Sequence, residues 1–296
     1  MKPGELTKAV IEAARSVAKE AGVRAVFINA DLVADLTYLK GIFGETEVVL
    51  FTRKRVEAVE LEGVAEKILS VPPVNLNRVA QIKLAALLAL SKGYLQSGDL
   101  ILFLSGIPDL GALDTMVVME VGEEFEIFSL KEGDSFVKVV KPEVFARVVD
   151  LAVELAQEGR EGKPLGALFV LGDTDAVMKY ADQLVLNPFQ GYSEEVRNIL
   201  DPGVMESVKE FCAIDGAFII RSDGVVLTAG AFLRPRVPGE ELSPGLGARH
   251  AVAASMSAST DAILVTLSES TGTVRIFKGG RMVTEIERAP RKRRGK

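Results

Sequence analysis

Apolar positions along the chain recur at helical spacing in some stretches and form short unbroken runs in others, so helices and strands alternate. Residues 6–21 carry Val10, Ile11, Ala14, Val17 and Ala18 on one helical face, and Gly22 ends that helix. Residues 23–28 then read as a buried strand, 32–39 as a second helix and 47–51 as a second strand. A weaker strand at 68–71 stops at Pro72-Pro73, and Asn75 is placed to cap a long helix reaching Tyr94. Its apolar side includes Ile82, Leu84, Ala85, Ala86 and Leu87. After the turn Ser97-Gly98-Asp99 comes a strand at 100–104, and 116–121 with 125–129 complete an edge. Strands interleaved with helices predict an α/β class, here a mainly parallel sheet covered on both faces.

A change of domain is expected at Val139-Val140-Lys141-Pro142. A helix at 143–157 follows, ended by the charged, glycine-containing stretch 158–164, then a strand at 165–171 and a helix at 175–180. Residues 211–214 read as a hydrophobic strand delivering Asp215, which 218–220 continue past a glycine. Asp223-Gly224 reads as a hairpin turn between Ile219-Ile220 and Val225-Val226-Leu227. The stretch from Ser243 to His250 leads into an alanine-rich helix at 251–259, and strands at 262–267 and 274–277 flank Ser268-Glu269-Ser270-Thr271-Gly272.

Composition narrows the picture. The 296 residues allow two compact domains, and 48% hydrophobic with 26% charged residues is the balance of an ordinary soluble protein. No apolar run reaches the ~18 residues of a spanning helix, and the N-terminus shows no secretory signal. The single cysteine, Cys212, fits a reducing cytoplasm and reads as buried packing rather than a nucleophile. A net charge of −6 argues against a general nucleic-acid surface, and no DNA-binding region is evident. The basic tail 291–296 reads as a disordered solubilising end, with a contact to nucleic acid or an acidic partner as the alternative.

The candidate chemistry lies in the last third. No phosphate-binding Gly-x-x-x-x-Gly-Lys-Ser/Thr loop and no nucleophile elbow is present. One histidine and one cysteine cannot build a His/Cys metal site. Carboxylates and backbone amides remain. Asp215 has oxygens suited to Mg²⁺ or Mn²⁺ shared with substrate phosphates, although Asp-Gly is also a common turn. Gly216 admits a close approach by a ligand or another backbone. Gly245-Leu246-Gly247-Ala248 before a helix exposes N–H groups to an anion. Arg249 adds a planar donor fork, and His250 can donate to the same phosphates, or it can simply cap or pack. Ser268 can touch phosphate and Glu269 can supply a second metal oxygen, or both can belong to a polar hairpin turn.

Two resemblances follow from quoted blocks. Ser97-Gly98-Asp99 through Ile107-Pro108, with Thr115–Val121 after it, resembles the C-terminal domain of pyruvate kinases, implying a regulatory or oligomerising module at 1–140. Leu168-Phe169-Val170-Leu171-Gly172-Asp173, Asn187-Pro188-Phe189-Gln190-Gly191-Tyr192, Asp215-Gly216-Ala217, Gly247-Ala248-Arg249-His250 and Ser268-Glu269-x-Thr271-Gly272 resemble the diadenylate cyclase domain. That resemblance implies a catalytic α/β domain at 141–290, with a central mixed sheet flanked by helices. It further implies that two ATP become cyclic di-AMP and two pyrophosphates, using Mn²⁺ or Mg²⁺ between two facing domains of a homodimer or larger homo-oligomer. Catalysis would rest on Asp215, Arg249 and His250, with the metal on Asp215 and Glu269. Nucleotide contacts would come from Gly216, Ala217, Leu233, Gly247, Ala248, Arg249, His250 and Ser268, with Leu233 against adenine. The chain departs from the family at Ala248 and Ala251, where a hydroxyl and a second arginine are usual. A degenerate protein that holds ATP or cyclic di-AMP without turnover is the alternative.

Overall fold

A computed structural model of the chain describes residues 2–53, 64–65, 67–74, 76–122, 138–160, 163–237 and 247–287. The chain divides into two compact units, one built from Met1–Ala89 and Tyr94–Lys131, the other from Leu90–Gly93 and Glu132–Lys296.

The first unit opens with helix α1 (Pro3–Ala21), which has Pro at its start and Gly22 at its end with φ 65°. Strands β1 (Ala25–Asn29), β2 (Glu47–Thr52) and β3 (Lys67–Ser70), helix α2 (Arg78–Ser91), and strands β4 (Leu100–Ser105) and β5 (Thr115–Glu120) follow. The sheet order is β3-β2-β1-β4-β5, parallel except for the antiparallel edge strand β5. Every residue of β1 is buried, so both faces of the central sheet are covered. Alternation sends Val26, Ile28, Leu102 and Leu104 into a cluster with Ile11, Ala14 and Ala18 of α1. The Phe27 and Phe103 rings lie 4.7 Å apart.

The expected helix at 32–39 is absent. Two short 3₁₀ turns, Ala30–Leu32 and Leu36–Leu39, stand in its place. The Asp35 side chain accepts from both the amide and the hydroxyl of Thr37, a local bond that competes with helix. Asn75 and 125–129 lie outside the described residues. The cap of α2 is made by Asn77, whose side chain accepts from the Ala80 amide at 2.8 Å. The helix stops at Ser91, short of Tyr94.

The second unit contains α3 (Pro142–Glu158), β6 (Ala167–Leu171), α4 (Thr174–Val177), β7 (Ala181–Gln183), α5 (Pro202–Phe211), β8 (Ala217–Ile220) and β9 (Val226–Leu233). It ends with α6 (Ala248–Ser259), β10 (Ile263–Leu267), β11 (Val274–Lys278) and β12 (Arg281–Ile286). The sheet order is β12-β11-β10-β6-β8-β9-β7, and only β6 and β8 run parallel. Leu168, Val170, Ala217, Ile219, Ala231 and Leu264 pack toward Ala253, Ala254 and Met256 of α6. The alternate residues Phe169 and Phe218 stack at 5.2 Å on the other face.

Residues 211–214 are not a strand. They are the end of α5 and the turn after it, because Asp201 caps Gly203 and Val204 and Pro202 opens the helix. Asp223-Gly224 does form the hairpin turn, closed by Arg221 and Val225. Among the described residues no helix is long and apolar enough to cross a membrane.

Candidate active site

A cleft of about 1230 Å³ opens at one end of the second sheet, where β6 and β8 begin and β9 and β10 end. The separated segments 215–217, 233, 247–250 and 268–269 all line it. The structure therefore brings Asp215, Gly216, Ala217, Leu233, Gly247, Ala248, Arg249, His250, Ser268 and Glu269 to one place.

Asp215 sits on the bend between α5 and β8 with its side chain 91% exposed. Gly216 next to it has φ 111°, and a Cβ there would stand 2.6 Å from the Gly230 carbonyl carbon. Glycine thus serves the close passage of another backbone, that of β9, and this passage fixes where Asp215 leaves the sheet. Leu233, the last residue of β9, is buried against Leu168 and Ala217. On the β7 side the bonds run from Leu184 to Gly230 and from Arg234 to Tyr180. Antiparallel alternation then turns the Leu233 N–H and C=O away from β7. On that other side β8 starts only at Ala217, opposite Ala231, so Leu233 extends past it at the cleft.

Arg249 and His250 lie in the first turn of α6, whose cap residue Gly247 offers no side-chain hydrogen bond to the helix amides. The Arg249 guanidinium lies 3.1 Å from Asp215 and 3.8 Å from Glu269. It fits because residue 166 is glycine: a Cβ there would come within 2.5 Å of Arg249 Nη1. Ion pairs this exposed contribute little, so the guanidinium is free to exchange a carboxylate for phosphate oxygens.

His250 is buried. Its Nε2 lies 3.1 Å from Arg275 Nη1, and its Nδ1 has no hydrogen-bond partner among the described residues. Burial and then the Arg275 charge push its pKa below the ordinary imidazole value, with the Gly247 carbonyl opposing. Ser268 is buried in the β10–β11 turn, its hydroxyl 3.3 Å from that of Ser270. The hairpin expected at 268–272 and the cleft wall are one feature.

No group of three or more His, Cys, Asp or Glu side chains among the described residues could hold a metal ion. Asp215 and Glu269 nevertheless converge on a single positive charge, the Arg249 guanidinium. Two hard-oxygen carboxylates of this kind fit Mg²⁺ or Mn²⁺ completed by substrate phosphates. Cys212 is buried, its thiol pushed up to about 12, and takes no part.

Gly166, Arg275 and Glu285 were not anticipated. Gly166 carried no pattern. Arg275 and Glu285 reach the cleft through the β11–β12 hairpin, of which the sequence suggested only the first strand.

Residues 154–282 match the family model described as the DisA bacterial checkpoint controller nucleotide-binding domain, and residues 6–128 match one described as a probable sensor domain, DacZ_P. The chain is 40% identical over 213 residues to a diadenylate cyclase of Methanocaldococcus jannaschii, covering 71% of this chain and 67% of that one. It is 33% identical over 250 residues to a diadenylate cyclase of Haloferax volcanii, covering 83% and 87%. Solved structures overlap only in part. A hypothetical membrane spanning protein from Bacillus cereus gives a TM-score of 0.37 at 21% identity, over 49% of this chain and 64% of that one. DacA from Staphylococcus aureus gives 0.30 at 25% identity, over 47% and 84%. With a nucleotide-sized cleft in the matched unit, and with both relatives sharing this activity, the chain belongs to the diadenylate cyclase family.

Proposed function

We propose that the cleft holds one ATP and that two such clefts, facing each other in a homodimer or larger homo-oligomer, join two ATP into cyclic di-AMP and two pyrophosphates. The observation that carries this reading is the convergence of Asp215, Arg249, His250 and Glu269 on one cleft beside an uncapped helix start.

Adenine lies against Leu233, whose backbone N–H and C=O, turned away from β7, are suited to the base edge. The triphosphate runs to the start of α6, where helix amides and Arg249 meet its charge. Asp215, freed when Arg249 turns to phosphate, accepts the hydrogen of the ribose 3′-OH. That hydroxyl attacks the α-phosphorus of the ATP in the facing copy, in line with the departing pyrophosphate. Asp215 and Glu269 would hold Mn²⁺ or Mg²⁺, which supplies charge neutralisation and a lower pKa for the attacking hydroxyl. Ala248 and Ala251 offer the phosphates no side-chain donor, so the grip depends on Arg249, His250 and backbone.

The division of labour is 141–290 for catalysis, 1–140 for regulation or assembly with a pyruvate-kinase-like layout, and a basic tail at 291–296. Incubation with ATP and Mn²⁺, followed by chromatography, tests the reading. Cyclic di-AMP with matching pyrophosphate is expected. Nucleotide binding without any dinucleotide would instead establish the degenerate binding protein.

A further inference from the structure

Glu285, Arg275 and His250 form a connected line along the cleft. Arg275 and Glu285 are directly opposed in the β11–β12 register, and Arg275 Nε donates to Glu285 Oε2 at 2.9 Å. The Arg275 side chain is only 12% exposed, so this cross-strand pair holds the guanidinium in one place. Its Nη1 then lies 3.1 Å from His250 Nε2. A guanidinium has five N–H donors and no acceptor, and it does not deprotonate in proteins. His250 Nε2 must therefore accept.

We propose that Glu285 and Arg275 are positioning residues that lock His250 as the neutral tautomer with its proton on Nδ1, so that the ring keeps one place and one orientation in the cleft wall. Nδ1 is buried and has no hydrogen-bond partner among the described residues, while the ring itself forms part of the cleft wall. An imidazolium would place a second cation against Arg275, which disfavours it. The effect on turnover rests on the reading that this cleft binds ATP, and the tautomer does not.

Because His250 is the only histidine, the imidazole nitrogens of the ¹⁵N-labelled chain give one set of signals without assignment. In the ligand-free protein at neutral pH we expect a protonated Nδ1 and an unprotonated Nε2. A ring protonated on Nε2 overturns the proposal, whatever the enzyme makes. Arg275→Lys retains a donor and should keep the tautomer, whereas Arg275→Ala should let the two tautomers mix. For cyclic di-AMP formation, kcat should fall about tenfold or more in Arg275→Ala and recover substantially in Arg275→Lys. An unchanged tautomer in a folded Arg275→Ala chain, or a rise in KM alone, contradicts the positioning role.

Discussion

Gly166 decides where Arg249 can sit, and this makes it the most specific single-residue test of the cleft. An added Cβ would meet the far end of a flexible side chain rather than backbone. Gly166→Ala should therefore cost little stability, within roughly 1 kcal/mol, while displacing the guanidinium. The KM for ATP is expected to rise about tenfold with the thermal midpoint nearly unchanged. An unaltered KM would show that Arg249 does not need this seat. At this scale the sequence was informative where a residue type is scarce or bracketed by glycines. Asp215, Arg249 and His250 were legible for that reason. Gly166, Arg275 and Glu285 were not, because each matters through a partner distant in the chain. Gly166 touches Arg249, and Arg275 reaches back to His250.

Among elements, long periodic segments were readable and short ones near turns were not. Helices α1, α3 and α6 and strands β1, β4 and β10 fall close to where apolar spacing put them. The stretch 211–214 was misread because Phe211, Cys212 and Ile214 form an apolar cluster. The Asp201-Pro202 start, ten residues earlier on α5, was the signal that would have corrected it. Strands β7 and β12 left little trace, since pairing with β9 and β11 rather than local pattern creates them.

The helix α3 also carries a liability. Asp150 is only partly buried as a residue, yet its Oδ1 is enclosed with no hydrogen-bond partner among the described residues. Burial raises the carboxyl from 3.8 to about 7, against the opposing charge of Arg147 and with reinforcement from Glu154. A raised carboxyl pKa means that stability is fully present below the unfolded value and is lost as pH climbs through about 7. Asp150→Asn should remove this loss. Urea unfolding should show the variant gaining on the natural chain between pH 5 and pH 8, by on the order of 2 kcal/mol. A constant difference across that range would contradict the assignment.

At the scale of the whole molecule, the proposed reaction assigns one ATP to each cleft and so requires two of them. Asp215 and Glu269 are exposed, with side chains 91% and 63% accessible, as the proposed meeting with a facing nucleotide requires. The rate per protomer should rise with protein concentration until pairing is complete, and a rate independent of dilution across the dissociation range would oppose a shared site. The sequence suggested a change of domain near 139–142, whereas the two compact units divide at Lys131 and Glu132, with Leu90–Gly93 in the second. The proposed two-fold pairing left no local pattern in the sequence, because it would be set by surfaces that carry no periodicity. The most direct test of the account compares the natural chain with Asp215→Asn, measuring cyclic di-AMP formed from ATP and Mn²⁺ alongside ATP binding. The account predicts product from the natural chain and a loss of about 100-fold or more in a variant that still binds ATP. Equal product from both would contradict it.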